Sequence, residues 1–324
     1  MYHWMKQTGC TVALLAAAAT GAWAQADYPS RQVTLVVPYA AGGATDIIGR
    51  IVAQGLGDEL NQTIVVQNVP GAGGSIGAMQ VSRADPDGYT LLMGAMTSHS
   101  INMNLPTAPG FDLRTDFETV GLAGSVGLAL VTRPDLAVDS FEAFLAEAEA
   151  NPGQLAYASA GAGSPQHLGM EMLKNAADID LVHVPYQGSS PAITDLIGGH
   201  VDVMFDTIPS VLPHVNSGAV KALAVTTPEP SLFLEGLPTV DSAGVEGFDV
   251  QSWFGVLAPA GTPEAVTQRL NEVLNANLQK PETIAALKQQ GVVASPGPRE
   301  AETALIESEI AKWQAVIETA GPLE

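Results

Sequence analysis

From Val33 to Val225 short β-branched runs alternate with helix-length apolar stripes, and this rhythm restricts the fold more than any other feature of the chain. Val33-Thr34-Leu35-Val36-Val37 is the first run, stopped by Pro38. Helical spacing follows, with Ile48, Val52, Leu56 and Leu60 on one face. Ile64 to Val66 and Tyr89 to Met93 are the next strands. Ser140 then stands as an N-cap before a helix that buries Phe141, Phe144 and Leu145. The rhythm restarts with strand Leu155 to Ala158, helix Gln166 to Lys174, strand Leu181 to Val184 and helix Ser190 to Ile197. Strands Val201 to Phe205 and Val220 to Val225 complete it. Such alternation predicts an α/β fold, with mostly parallel sheets flanked by helices. At 324 residues the chain is long enough for two such units. The C-terminal part reads as helix. Val266, Leu270, Val273, Leu274 and Leu278 form a stripe, Pro281 interrupts it, and a last helix runs from about Glu300 to Ala320. These stripes read as core.

The first residues read differently. Lys6 precedes an apolar run, Val12 to Ala19, that is too short to span a bilayer. Ala22-Trp23-Ala24 and Ala24-Gln25-Ala26 follow it, both of the A-x-A form that a signal peptidase cuts. Residues 1–26 are therefore expected to be a cleaved export signal, and the periplasm is the expected compartment. Cys10, the single cysteine, precedes the apolar run, so neither a lipid anchor nor a disulfide is expected. The chain carries a net charge of −21, and loss of the signal, which holds Lys6 and no acid, makes it more negative. A surface of that sign excludes nucleic acid as a partner. An anion site in such a protein has to work locally, through oriented backbone N–H groups.

Two Gly-rich turns supply them. The first, Tyr39-Ala40-Ala41-Gly42-Gly43-Ala44-Thr45-Asp46, lies between a strand end and a helix start, with Thr45 or Asp46 as candidate N-cap. The second is Ser159-Ala160-Gly161-Ala162-Gly163-Ser164-Pro165-Gln166-His167, where Pro165 suits a first helical turn and the serines add hydroxyl donors. Glycines let a ligand approach the backbone, and free N–H groups at a helix start bind anions without lysine or arginine. One turn per α/β unit predicts a cleft lined from both sides at the carboxyl ends of strands. Tyr39, Gly42, Gly43, Ala44, Thr45, Asp46, Ser159, Ala160, Gly161, Gly163 and Ser164 are its candidate residues. Ser98 and His99, just past the third strand, are added for their place, and so is Asp206 at the end of the strand Val201 to Phe205. Asp206 suits either a ligand ammonium or hydroxyl, or the cap of a helix near Ser210.

A third Gly-rich stretch, Pro70 to Gly77, has Ile76 where a dinucleotide fingerprint needs glycine. It contains a literal G-x-S-x-G around Ser75, but Asn68 to Ala72 separates it from the strand, too slack for a nucleophile elbow. Its glycines read better as the cap of a helix packed close to the sheet. The histidines lack metal-ligand spacing and no C-x-x-C occurs, so neither metal nor cofactor is expected.

Taken in order, Tyr28-Pro29 to Asp46, Asn68 to Gly74, Pro86-Asp87-Gly88-Tyr89-Thr90-Leu91, Ser159 to Leu168 and His183-Val184-Pro185-Tyr186 resemble one family. Asp195 to Gly199, Phe205-Asp206, Leu223 to Thr226, Pro238-Thr239-Val240 and Trp253 to Pro259 extend the match. These are the substrate-binding proteins of tripartite tricarboxylate transporters, the Bug or TctC family. The resemblance implies a two-lobe clamshell of the periplasmic-binding-protein type, in which the two Gly-rich loops pinch a ligand carboxylate. It implies a small mono-, di- or tricarboxylate as ligand, integral-membrane transporter subunits as partners, no catalysis, and a monomer. Pro106 to Phe111 and Gln187 depart from the pattern, at positions that bear on ligand choice. The expected lobes are Asp27 to Gly127 with Ser252 to Glu324, and Leu128 to Gln251. The rivals are a ligand sensor for a signalling partner, with the same fold, and a hydrolase using Ser75.

Overall fold

The computed structural model describes residues 28–107 and 109–320, so the expected export signal lies outside the described residues. In chain order the first lobe opens with β1 (Val33–Val37), α1 (Ala44–Leu60), β2 (Ile64–Asn68), α2 (Ser75–Ser82), β3 (Thr90–Ala95) and α3 (Met96–Asn104). A long strand, β4 (Phe117–Thr132), leads to the second lobe. That lobe holds α4 (Phe141–Ala150), β5 (Ala156–Ser159), α5 (Pro165–Ala177), β6 (Val182–Pro185), α6 (Ser189–Ile197), β7 (Val203–Thr207), α7 (Ile208–Asn216) and β8 (Lys221–Val225). The chain returns through β9 (Gln251–Pro259) and ends in α8 (Glu264–Leu278), α9 (Pro281–Gln289), β10 (Val293–Ala294) and α10 (Arg299–Ala320).

The sheet is mixed rather than mostly parallel. The ladders β2-β1-β3 and β7-β5-β6 are parallel, as βα alternation requires. Between them β9 runs antiparallel to both β3 and β4, and β4 runs antiparallel to β7 and β8. The chain has to leave one lobe and come back, and two long strands in opposite directions do this. β4 changes partner midway: Gly127 faces Gln251 of β9, and Leu128 faces Thr207 of β7.

Helices cover both faces, so successive strand residues enter different cores. Leu35 and Val37 pack with Ile48, Val52 and Leu56 of α1 and Leu270 and Leu274 of α8, while Val36 packs on the other face with Val81, Phe117 and Ile306. Likewise Leu128 and Leu130 join Phe141, Phe144 and Tyr157, and Ala129 and Val131 join Ile193 and Leu196. α10 belongs to both lobes. Its Ile306 and Ile310 pack in the first, and its Trp313 and Val316 in the second beside Leu168 and Phe205. No helix among the described residues is long and apolar enough to cross a membrane.

Where α10 starts, Glu302 is wholly buried against the middle strands. An added Cβ at Gly255 of β9 would collide with its Oε1. It faces the irregularity in β4 between Thr119 and Gly121, where the ladder to β9 slips, and among the described residues neither carboxyl oxygen has a hydrogen-bond partner. Burial raises its pKa well above the ordinary 4.5, against weaker pulls from the Gly121 and Val120 backbone and Arg299. The folded state thus holds this proton more tightly than the unfolded chain does. Stability from this group is present at low pH and falls as pH rises past about 4.5. Glu302→Gln keeps the shape without the titration. We expect it to melt higher than the wild type at pH 8 and alongside it at pH 4, by circular dichroism. A wild type that melts higher at pH 8 would mean that Glu302 is an ion the fold needs.

Candidate ligand-binding site

β1, β2 and β3 are parallel neighbours, and each turns at its carboxyl end into a helix, α1, α2 or α3. None of these helices has a side-chain cap at its N-terminus: the capping positions are Gly43, Gly74 and Ala95. In the second lobe β5, β6 and β7 lead into α5, α6 and α7, and only α5 has a capping side chain, Ser164. Each lobe therefore presents three helix N-termini along one sheet edge, where backbone N–H groups and helix dipoles favour an anion.

The first loop is built around Asp46, which lies in the first turn of α1 and is 3% exposed. Its Oδ2 accepts the Gly42 N–H at 2.9 Å and Arg50 Nε at 3.0 Å, and its Oδ1 accepts Asn68 Nδ2 at 2.9 Å. Burial opposes its charge, but the bonds from Arg50, Gly42 and Asn68 outweigh that and hold its pKa below the ordinary value. Asn68 also donates to Tyr39 O at 3.0 Å. Asp46 thus folds the loop, and the N-cap is Gly43, not Thr45 or Asp46 as expected, because the Asp46 carboxylate turns back to Gly42. Gly42 has φ +88°, which glycine tolerates and a branched residue does not. Gly43, by contrast, is extended at φ −80°. Among the described residues no acceptor pairs with the N–H groups of Gly43, Ala44 or Thr45.

Tyr39 donates to Gly73 O at 2.9 Å, and burial raises its phenol pKa, with the Ser98 hydroxyl beside it. His99 is wholly buried rather than open to the cleft, edge-on to Phe111 at 5.6 Å. Burial lowers its pKa to about 4, so the imidazole is neutral, and it backs the Gly-rich turn 71–74 with the Gly74 backbone toward Nε2. Ser75 is 5% exposed and accepts Asn102 Nδ2 at 3.2 Å. Gly77 packs so closely on Pro38 that a Cβ would lie 2.8 Å from its Cα, which agrees with a helix set tight against the sheet.

In the second loop the glycine amides turn inward. Gly161 N–H donates to Ser159 Oγ at 3.2 Å and Gly163 N–H to His167 Nδ1 at 3.0 Å. Ser159 is fully buried, with Oγ 2.7 Å from His183 Nε2. Ser164 accepts the His167 N–H at 3.2 Å, which leaves its own proton free. The amides of Ala160 and Ala162 have no acceptor among the described residues. Asp206 is also fully buried. Its Oδ1 takes Gln166 Nε2 (3.1 Å), Ser189 Oγ (2.9 Å) and the Thr207 N–H (2.7 Å), which ties the starts of α5, α6 and α7 together. Burial raises its pKa, and Oδ2 has no hydrogen-bond partner among the described residues. The second loop touches the first lobe where Leu105, just after α3, lies 3.4 Å from the position of a Cβ on Gly163.

Sequence reasoning put Gln166 and His167 in the second turn without giving them a role, and missed Asn68, His183 and Ser189. Asn68 ends β2 and Ser189 starts α6, a signal that could have found them; His183 lies inside β6. Neither Gly-rich loop contains lysine or arginine. Among the described residues no three His, Cys, Asp or Glu side chains gather as metal ligands.

A family model described as the tripartite tricarboxylate transporter family receptor matches residues 48–321. A UPF0065 protein from the tcbD-tcbE intergenic region of Pseudomonas sp. strain P51 is 38% identical over 90% of this chain and 86% of its own length. Protein BugT of Bordetella pertussis is 35% identical over 91% of this chain and 90% of its own. Among solved structures, R. palustris Rpa4515 with adipate is 36% identical at TM-score 0.84, covering 91% of this chain and 99% of that one. MatC from Rhodopseudomonas palustris with bound malate is 31% identical at TM-score 0.79, covering 89% and 99%. The periplasmic binding protein BugD is 38% identical at TM-score 0.79, covering 92% and 99%. The chain belongs to the tripartite tricarboxylate transporter receptor family.

Proposed function

We propose that the protein is a periplasmic solute receptor that closes on a small carboxylate between its lobes and delivers it to the membrane subunits of a tripartite transporter. The observation that carries this reading is the pair of loops whose unspent donors are neutral. These are the N–H groups of Gly43, Ala44 and Thr45 in one lobe, and those of Ala160 and Ala162 with the Ser164 hydroxyl in the other. A carboxylate accepts several such bonds, each strengthened by its charge. Carboxylates in Rpa4515 and MatC support the ligand class. Asp46 and Asp206 then act behind the loops, as organisers. We take the lobes to be residues 27–127 with 252–324, and 128–251, the end of α10 reaching into the second; the change of partner in β4 between Gly127 and Leu128 supports the first boundary. The protein works as a monomer without catalysis; Ser75 lies buried with Asn102 and not at an elbow. Residues 1–26 direct export.

The test is a melting screen on refolded, ligand-stripped protein. A ligand at 100 times its Kd adds about 2.7 kcal/mol. We expect members of a panel of mono-, di- and tricarboxylates to raise the melting temperature, and sugars and inorganic phosphate to leave it unchanged. A shift with sugars and none across the carboxylates would sink the reading.

A further inference from the structure

Two imidazoles lie stacked behind the second Gly-rich loop. His167, the third residue of α5, and His183 of β6 have ring centroids 3.9 Å apart and planes within 8° of parallel. Tyr157 of β5 adds a third ring 4.8 Å from His183. His167 Nδ1 accepts the Gly163 N–H, so the neutral ring carries its proton on Nε2. Ser159 Oγ already accepts the Gly161 N–H, which leaves its own proton for His183 Nε2. The loop is thus gripped at two points by ring nitrogens that serve as acceptors.

The surroundings keep the pair uncharged. Burial first, then the neighbouring His183, lowers the His167 pKa to about 4, and burial lowers that of His183. The charges facing the pair, Glu171 and Lys174 of α5, bond to one another at 2.9 Å, and Glu171 also takes the Tyr157 hydroxyl at 2.5 Å. α10, which packs on α5, pairs its own Glu309 with Lys312. Two cations stacked at this distance would repel, and a protonated Nδ1 would point a donor at the Gly163 N–H.

We propose that His167 and His183 are positioning residues for ligand capture. As neutral acceptors they lock the Gly163 amide and the Ser159 hydroxyl, and so fix the loop in the shape that leaves Ala160, Ala162 and Ser164 as its free donors. The proposal rests on the reading of this loop as half of a carboxylate site. It explains how a loop of six small residues keeps one conformation, and why acid should loosen it.

Two substitutions separate the acceptor from the ring. His167→Asn places an amide oxygen near the Nδ1 position and gives up the stack. His167→Phe keeps the ring and gives up the acceptor. The first readout needs no ligand: amide exchange of Gly163 by NMR, and its shift against pH. We expect the wild-type Gly163 signal to titrate with a midpoint near pH 4. We expect exchange to be faster by about tenfold in His167→Phe, and near wild type in His167→Asn, in line with the loss of one hydrogen bond. The second readout is calorimetry at neutral pH with adipate and malate as probes. Affinity should fall about tenfold in His167→Phe and stay within about threefold in His167→Asn. If His167→Phe does not fold, the wild-type titration and His167→Asn decide. Wild-type exchange and affinity in His167→Phe, an Asn variant as impaired as the Phe variant, or a Gly163 signal flat down to pH 3.5 would each overturn the proposal. A wild type that protects Gly163 yet binds no carboxylate would count against the functional reading and leave the histidine tether standing.

Discussion

Gly43→Val should weaken carboxylate binding by about a hundredfold or more and leave the melting temperature of the ligand-free protein unchanged. The two halves of this expectation have separate causes. Gly43 is extended at φ −80°, a conformation that any residue adopts, and a Cβ there meets nothing nearer than Ala40 O at 3.8 Å. The fold therefore has no reason to resist the change. The ligand does, because valine methyls would cover the N–H groups of Gly43 and Ala44. Losing two hydrogen bonds to a charged group, at about 1.5–3 kcal/mol each, weakens binding roughly 10²- to 10⁴-fold. Gly42→Val is the instructive contrast. At φ +88° it strains the turn and should lower the melting temperature as well. Calorimetric titration with adipate and malate, alongside thermal melts, separates the two. Undiminished affinity in a folded Gly43→Val protein would remove the first loop from the site.

Trp313→Ala should cost about 3–5 kcal/mol, the range for truncating a large buried aromatic. Trp313 is fully buried in the core of the second lobe, although its helix starts on the first. The substitution also takes the Nε1 donor, at 2.9 Å, from Glu309, a carboxylate that is 3% exposed. Trp313→Phe, which keeps most of the apolar contact and loses only the donor, should cost less than half as much. Denaturant melts of the three proteins provide the comparison. A loss below about 1 kcal/mol in Trp313→Ala would show that the end of α10 is not anchored to the second lobe.

How much was legible in the sequence depends on the range of the interaction. The helices α1 and α8 were readable because apolar stripes are local, and α4 because its cap, Ser140, stands next to it in the chain. The Gly-rich turns were readable because each stands between a β-branched run and a stripe. β4 was not: its second half is buried on both faces, so Gly127 to Thr132 shows no alternation, and the partners of its first half lie over a hundred residues ahead at β9. Glu302 shares a helix face with Ile306, Ile310 and Trp313, yet a carboxylate reads as surface by residue type. It fits there because Gly255, on another strand, makes room for it. In the site, the loops could be named but not the side chains behind them. His167 and His183 meet only because β6 pairs with β5 and α5 lies over both, a juxtaposition that no local pattern carries.

The return through β9 also governs the order in which the chain can fold. Leu92 of β3 pairs with Leu257, and Phe117 of β4 with Pro259. As the protein is synthesised, β3 therefore waits without its neighbour while the whole second lobe goes by. That lobe, by contrast, closes within one continuous stretch, its ladders running from β4 to β8. Loop closure across such a span is entropically slow. The first lobe to emerge is the last that can be completed, and until then β3 and the first half of β4 lack the strand that joins them.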